Sequence, residues 1–312
     1  MTDEIPTPHE ISAGVRDALP RPNRPMAPFM WYGGKGNLAR RLMPLLPAGR
    51  VYVEPYAGAA SMFWHLRPPR EVEVLNDLHE EIVNLFRVLQ DAERFAALAH
   101  RLTWTPYSLA EFRRALAAGT NGDEVDRAWA FFVRQNQGFS GIAETEGNWS
   151  RAFESSRGMA ETAAIWRARL GLLDAWHERL TRVQIDCRDA LEVIDYWDSA
   201  DTVFYIDPPY AADSRVKGNR NVYVHEATDG HHEALVARLA GINGQAMLSG
   251  YATALYDPLV EAGWERHEFA TACHAAGRVR GSKLRGTGAA TEHAARTEVV
   301  WVTPPRAEGR LF

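Results

Sequence analysis

Apolar residues recur along this chain in two rhythms, and the points where one gives way to the other mark its elements. RVYVEP (Arg50–Pro55) and EVEVLND (Glu71–Asp77) have the β-branched, bounded character of strands. So do VQIDC (Val183–Cys187), TVFYID (Thr202–Asp207) and QAMLSGY (Gln245–Tyr251). Between them the apolar positions take helical spacing. AASMFWHL (Ala59–Leu66) begins a helix, the stretch from His79 to Leu102 predicts one long amphipathic helix, and HHEALVARL (His231–Leu239) predicts another. From Trp104 to about Arg182 helical periodicity prevails, broken by a Gly/Asn-rich loop near Asn136–Asn148, with no strong strand. WERHEF (Trp264–Phe269) and TEVVWVTP (Thr297–Pro304) pair most simply as an antiparallel hairpin at a sheet edge. Two blocks of alternating strand and helix around a helical stretch predict an α/β fold: a doubly wound, mostly parallel sheet with an antiparallel edge hairpin and a helical insert.

Composition narrows this picture. A chain of 312 residues can hold one large α/β domain with an insertion. The first 28 residues carry acids and prolines without an apolar core, so they read as a disordered tail and not as a secretory signal. No apolar run reaches the length of a membrane span. The two cysteines, Cys187 and Cys273, make no disulfide framework and no CxxC pair, which suits a reducing cytoplasm. A net charge of −5 argues against a protein coated in nucleic acid, but local charge decides when one face does the binding.

The strongest chemical signal is VFYIDPPY (Val203–Tyr210). Pro208 and Pro209 cannot donate to a ladder, so the strand ends at Asp207. A carboxylate, a stiff turn and an aromatic ring are thereby delivered to the carboxyl edge of the sheet, where open α/β sheets bind ligands. The amino nitrogen of adenine or cytosine is a poor nucleophile, because its lone pair is delocalised into the ring. Two preorganised acceptors on its hydrogens, the Asp207 carboxylate and the Pro208 carbonyl, would help it become tetrahedral, and Tyr210 could stack on the base. A duplex base reaches such a pocket only by leaving the stack.

Other stretches converge on the same edge. In VYVEPYAGAAS a strand delivers Glu54, the chain turns through Pro55, Tyr56 and Ala57, and Gly58 lets backbone approach a ligand. Only Gly58 occupies a glycine position of GxGxxG, which disfavours a pyrophosphate and hence a dinucleotide oxidoreductase. Asp77, at the end of the next strand, sits where a carboxylate can accept from ribose hydroxyls, and it also reads as the N-cap of the following helix. WYGGKG (Trp31–Gly36) is a glycine-rich loop without phosphate-loop spacing. Two basic runs, RVRGSKLRG (Arg278, Arg280, Lys283, Arg285) and SRVKGNRN (Arg215, Lys217, Arg220), suit phosphate contacts that position a duplex. Trp104, Tyr107 and Trp129 read as core. His225, His231 and His232 read as surface or helix start, and no metal is expected.

WYGGK, VEPYAGAAS, LND, DPPY and LSGY, in that order, resemble the Dam-like adenine-specific DNA methyltransferases. The similarity runs from about Trp31 to Pro304. The resemblance implies S-adenosylmethionine as methyl donor, S-adenosylhomocysteine as product, and direct attack by the amino nitrogen of a flipped adenine. It implies Trp31 and Lys35 bordering the cofactor, Glu54, Pro55, Ala57 and Gly58 against its methionine part, Asp77 on the ribose and Asp189 on its adenine. Asp207, Pro208 and Tyr210 would serve the target base. The division follows: a tail over 1–28, a catalytic domain over 29–103 and 183–304, a helical DNA-recognition insert over 104–182, and a tail over 305–312. Where the family often reads NRxxFNGL this chain has RQNQGFSGIAE (Arg134–Glu144). Phe139 and Gly141 match, but Ser140 replaces the usual Asn and Gln135 and Asn136 break the pattern. The implied partner is double-stranded DNA in the cytoplasm, without membrane, and the sequence leaves open a cognate restriction enzyme. Adenine in RNA, or cofactor holding without turnover, are the competing readings.

Overall fold

The computed structural model of the chain describes residues 7–22, 25–31, 33–139, 145–209, 229–272 and 295–305. Helix α1 (Pro8–Asp17) and the short α2 (Ala39–Leu42) precede β1 (Val51–Glu54), α3 (Ser61–His65), β2 (Val72–Asn76), α4 (Glu80–Gln90) and α5 (Ala92–Thr103). The insert contributes α6 (Leu109–Ala118), α7 (Glu124–Gln137), a two-residue pair β3 (Ser155–Ser156) and β4 (Met159–Ala160), α8 (Glu161–Leu170) and α9 (Leu173–Leu180). There follow β5 (Gln184–Asp186), α10 (Ala190–Trp197), β6 (Thr202–Ile206), α11 (Asp229–Ala240), β7 (Gln245–Tyr251), α12 (Asp257–Glu261), β8 (Glu265–Ala272) and β9 (Ala295–Val302).

Seven strands form one sheet in the order β5-β2-β1-β6-β7-β9-β8. Every pairing from β5 to β7 is parallel, and β9 runs antiparallel to both its neighbours. The expected doubly wound sheet and edge hairpin are both present. Strand residues alternate between two cores, as the pleat requires. Tyr52, Leu75, Val203, Tyr205, Met247 and Val300 join the larger core with α3, α4, α5, α7 and α9. Val53, Val74, Phe204, Ile206, Leu248 and Trp301 face α10, α11 and α12. The chain walks outward from β1 through β2 to β5, then restarts beside β1 with β6. The reversal leaves a crevice at the carboxyl ends of β1 and β6.

Three expectations need correcting. The predicted helix from His79 to Leu102 is two helices, because Asp91 adopts an extended ψ of 127° and its side chain accepts from the Arg94 amide, capping α5 as α4 ends. Residues 8–17 are helical rather than disordered. Thr7 and Glu10 form a reciprocal capping box with Pro8 in the first turn. Arg16 then donates to both oxygens of Asp174 in α9 at 3.0 and 2.9 Å, and Ser12 Oγ lies 2.7 Å from His100 Nδ1 in α5. Leu19 and Phe29 are buried. Trp104 is 55% exposed rather than core, and its indole N–H donates to Ser12 Oγ. Trp129 is fully buried as expected. Residues 306–312 lie outside the described residues.

Helix α9 is fixed to the sheet by a buried ion pair. Arg179 of α9 donates to both oxygens of Glu73 on β2 at 2.6 and 2.7 Å, and its guanidinium lies 3.9 Å from the centre of the Phe63 ring. The Glu73 side chain has no exposure and that of Arg179 only 10%. Removing one partner strands a buried charge, so Glu73→Ala is expected to lower the unfolding free energy by about 3–5 kcal/mol, measured by urea titration.

Candidate active site

The carboxyl ends of β1, β2 and β6 carry the predicted residues, and three clusters form there. In the first, the chain leaves β1 through Pro55 and reaches Gly58 at φ +49°, where a Cβ would meet Trp31 Cδ1 at 2.9 Å. Glycine at this position therefore serves a close approach as well as a left-handed backbone. Trp31 is held by edge contacts with Phe29 and His79. The Gly58 amide donates to Asp77 Oδ2 at 2.7 Å. Asp77 Oδ1 accepts from the His79 amide at 2.8 Å, and His79 itself caps α4 by accepting from the Glu81 amide. Asp77 thus joins the glycine turn to the helix start without being the N-cap.

Asn76 locks this turn to the next one. Its amide donates to the Pro55 carbonyl at 2.8 Å and the Arg188 carbonyl at 3.0 Å, and its oxygen accepts from the Arg188 amide. Asp189, next in sequence, caps α10 by accepting from the Leu191 amide at 2.8 Å. Ala57 is buried, and its amide donates to the Asn76 carbonyl.

The second cluster surrounds Asp207. Lys35 Nζ lies 2.7 Å from Asp207 Oδ1 and 3.3 Å from Glu298 Oε1, and donates to the Gly33 carbonyl at 3.2 Å. The Lys35 and Glu298 side chains are 6% and 7% exposed, that of Asp207 18%. A buried ammonium needs such partners. Glycine at 33 takes φ +78°, which lets the loop curl back onto its own lysine. Beneath the site, Glu54 is buried with Oε1 accepting from the Tyr52 hydroxyl at 2.6 Å and the Phe63 amide at 2.7 Å. Burial, more than any neighbouring charge, pushes the Glu54 carboxyl up to about 8.

The third cluster lies at the start of α11. His231 Nε2 is 2.7 Å from the Tyr56 hydroxyl, and His232 Nε2 is 3.0 Å from the Pro209 carbonyl. His232 stands at the helix start, one of the two places expected of it, and is fully buried there. Sequence reasoning gave His232 no role in the site and passed over Glu298. A charged residue inside the apolar run TEVVWV was the one local signal for Glu298. Asn76 gave none beyond its place in LND, since its role depends on two loops distant in sequence. Asn136, which breaks the expected pattern of the insert, is buried and donates to the Pro28 carbonyl at 3.1 Å. Tyr210, Arg215, Lys217, Arg220, Arg278, Arg280, Lys283 and Arg285 lie outside the described residues, as do Ser140, Gly141 and Cys273. Among the described residues no group of three or more His, Cys, Asp or Glu could hold a metal ion, and no helix is long and apolar enough to cross a membrane.

Residues 31–249 match the family described as D12 class N6 adenine-specific DNA methyltransferase. The chain is 27% identical over 215 residues to the DNA N-6-adenine-methyltransferase of Escherichia phage P1, covering 68% of this chain and 27% of that protein. It is 27% identical over 184 residues to a DNA adenine methylase of Vibrio cholerae serotype O1, covering 58% of this chain and 64% of that one. A 64-residue stretch is 34% identical to the type II methyltransferase M.CviBI of Paramecium bursaria Chlorella virus NC1A, covering 20% of this chain and 25% of that protein. The aligned parts thus span about a quarter of the phage protein and just under two thirds of the Vibrio protein.

Glu54 generates a pH prediction. Its carboxyl holds a proton in the folded state up to about 8, whereas the unfolded chain releases it near 4.5. Folding therefore binds a proton in that window, and the Glu54 contribution falls as pH rises through it. Glu54→Gln keeps an acceptor for Tyr52 and Phe63 but does not titrate. Relative to wild type, its stability is expected to improve steadily from about pH 5 to pH 8, read from urea midpoints across that range.

Proposed function

The chain belongs to the D12 class N6 adenine-specific DNA methyltransferases, and on that premise we propose that it methylates the exocyclic amino group of an adenine flipped out of DNA, using S-adenosylmethionine. The observation that carries this reading is the anchored Asp207: a carboxylate 2.7 Å from a buried lysine, on a strand end that continues into two prolines beside the β1 glycine turn.

The chemistry follows from what these groups can do. Lys35 orients the Asp207 carboxylate, so an acceptor stands ready for one hydrogen of the target amino group. The Pro208 carbonyl provides the second acceptor, and the two-proline turn needs little reorganisation. Both acceptors draw the amino nitrogen toward a tetrahedral geometry and expose its lone pair. Bound here, S-adenosylmethionine would supply an electrophilic methyl carbon on a sulfonium: as the nitrogen–carbon bond forms the carbon–sulfur bond breaks, giving S-adenosylhomocysteine, and one amino hydrogen is released as a proton. No covalent enzyme intermediate is needed. Tyr210 would stack on the flipped base and return part of the unstacking cost, which is a few kcal/mol or about that.

The first cluster fits an adenosine-bearing cofactor. Gly58 leaves backbone bare against Trp31, and the Asp77 carboxylate, though bonded to two amides, retains acceptor capacity for ribose hydroxyls. Pro55 and Ala57 give the turn its shape, Asp189 stands at the neighbouring helix start for the adenine ring, and Glu54 supports the turn from below. The helical insert, with the basic runs at Arg215, Lys217 and Arg220 and at Arg278, Arg280, Lys283 and Arg285, is assigned to the DNA. Arginine and lysine in such runs would position the duplex through phosphates.

A nucleoside digest after incubation with S-adenosylmethionine and unmethylated DNA is expected to yield amino-methylated deoxyadenosine. Asp207→Ala is expected to abolish that product while cofactor binding persists. Product only on RNA would replace the substrate, and turnover by the Asp207 variant would overturn the assigned role. Neutralising Arg278, Arg280 and Lys283 together is expected to weaken DNA binding and flatten its dependence on salt, by about one unit of log–log slope per lost phosphate contact. An unchanged slope would move the DNA face elsewhere.

A further inference from the structure

Among the buried groups to which the proposed mechanism gives no role, His232 bonds directly to the two-proline turn. It is fully buried in the first turns of α11, and its ring bridges two elements. Nε2 lies 3.0 Å from the Pro209 carbonyl, and Nδ1 lies 2.9 Å from the Tyr256 hydroxyl. A carbonyl can only accept, so Nε2 carries the hydrogen. In the neutral ring Nδ1 then accepts, and Tyr256 donates. The environment suits that assignment, since burial and the nearby Asp207 charge both raise the Tyr256 hydroxyl's affinity for its proton.

Tyr256 is itself held from behind. It lies in a short turn before α12, is 2% exposed, and packs against Trp301 with ring centres 4.7 Å apart. Its ring reaches β7 where Gly250 leaves space: a Cβ there would stand 3.1 Å from Tyr256 Cε2. The preceding residue, Ser249, pairs with the buried Tyr205 hydroxyl at 3.0 Å, on the strand that delivers Asp207. The LSGY stretch thus backs the two-proline turn twice, through Ser249 on β6 and through Gly250, Tyr256 and His232 on Pro209. His231, next along, reaches the β1 turn through Tyr56 at 2.7 Å.

We propose that His232 is a positioning residue for methyl transfer: by donating to the Pro209 carbonyl, with Tyr256 fixing its tautomer, it sets the path of the Asp207-Pro208-Pro209 turn and hence the aim of its two acceptors. The proposal rests on the methyltransferase reading. Pro209 has no amide hydrogen to donate, so its carbonyl is the one backbone hydrogen-bonding group that this residue offers to a neighbour. An acceptor displaced by a fraction of an ångström loses its alignment with the target amino group, and that loss appears in turnover rather than in cofactor affinity.

The test compares His232→Gln, whose side-chain amide nitrogen reaches the place of Nε2, with His232→Asn, whose nitrogen reaches only that of Nδ1, and with His232→Ala. In single-turnover methylation of unmethylated DNA at saturating S-adenosylmethionine, Ala and Asn are expected to lose about tenfold or more in rate, with cofactor affinity within about twofold of wild type. Gln is expected to recover most of the rate, and Tyr256→Phe to fall between. A rate for folded Ala within about twofold of wild type, Gln no better than Asn, or a loss confined to cofactor affinity would overturn the proposal. Should Ala fail to fold, the ranking of Gln above Asn decides. A second readout needs no turnover: amide hydrogen exchange across Val203–Asp207 is expected to quicken in Asn and Ala but not in Gln. A wild-type protein that methylates neither DNA nor RNA would defeat the functional reading, and equal exchange in Gln and Asn would then defeat the brace on its own.

Discussion

A lysine ammonium buried to 6% exposure is costly unless oxygen surrounds it, and Lys35 meets oxygen from its own loop and from two distant parts of the chain. Asp207 comes from the end of β6, Glu298 from β9 and the Gly33 carbonyl from its own loop. Satisfying that charge brings the end of β6 and the antiparallel strand β9 to the same loop. The sheet order and the site are in this sense one constraint.

The insert is tied to this frame by two arginines. Arg179 reaches down to Glu73 on β2, and Arg16 of α1 reaches across to Asp174 on α9. The segment after α1 returns under α7, where Asn136 holds the Pro28 carbonyl, and delivers Phe29 and Trp31 to the glycine turn. The N-terminal segment therefore belongs to the architecture of the site, although the family match begins only at residue 31.

Much of this was legible in the sequence because strands announce themselves locally. Val203 to Ile206 could only be buried, and two prolines could only end the strand. The break at Asp91 was harder to see, since an apolar stripe continues through it and only the capping preference of one aspartate divides α4 from α5. The misread tail did carry its signal: Thr7-Pro8-His9-Glu10 is a capping box with proline in the first turn, hidden by the acids and prolines around it. His232 and Glu298 escaped for a different reason. Their roles are set by contacts with Pro209 and Lys35, made between residues far apart in sequence, and no spacing rule encodes such pairs.

The antiparallel strand β9 has a further meaning for what counts as the minimal folded unit. It lies past the end of the matched region, yet it covers the outer edge of β7 along five paired residues and separates it from solvent. A chain trimmed to residues 31–249 would cut β7 itself short and leave an apolar edge of unpaired amides and carbonyls, the kind of surface that recruits a strand from another molecule. The last strand is thus as much a guard against self-association as a source of the carboxylate that meets Lys35.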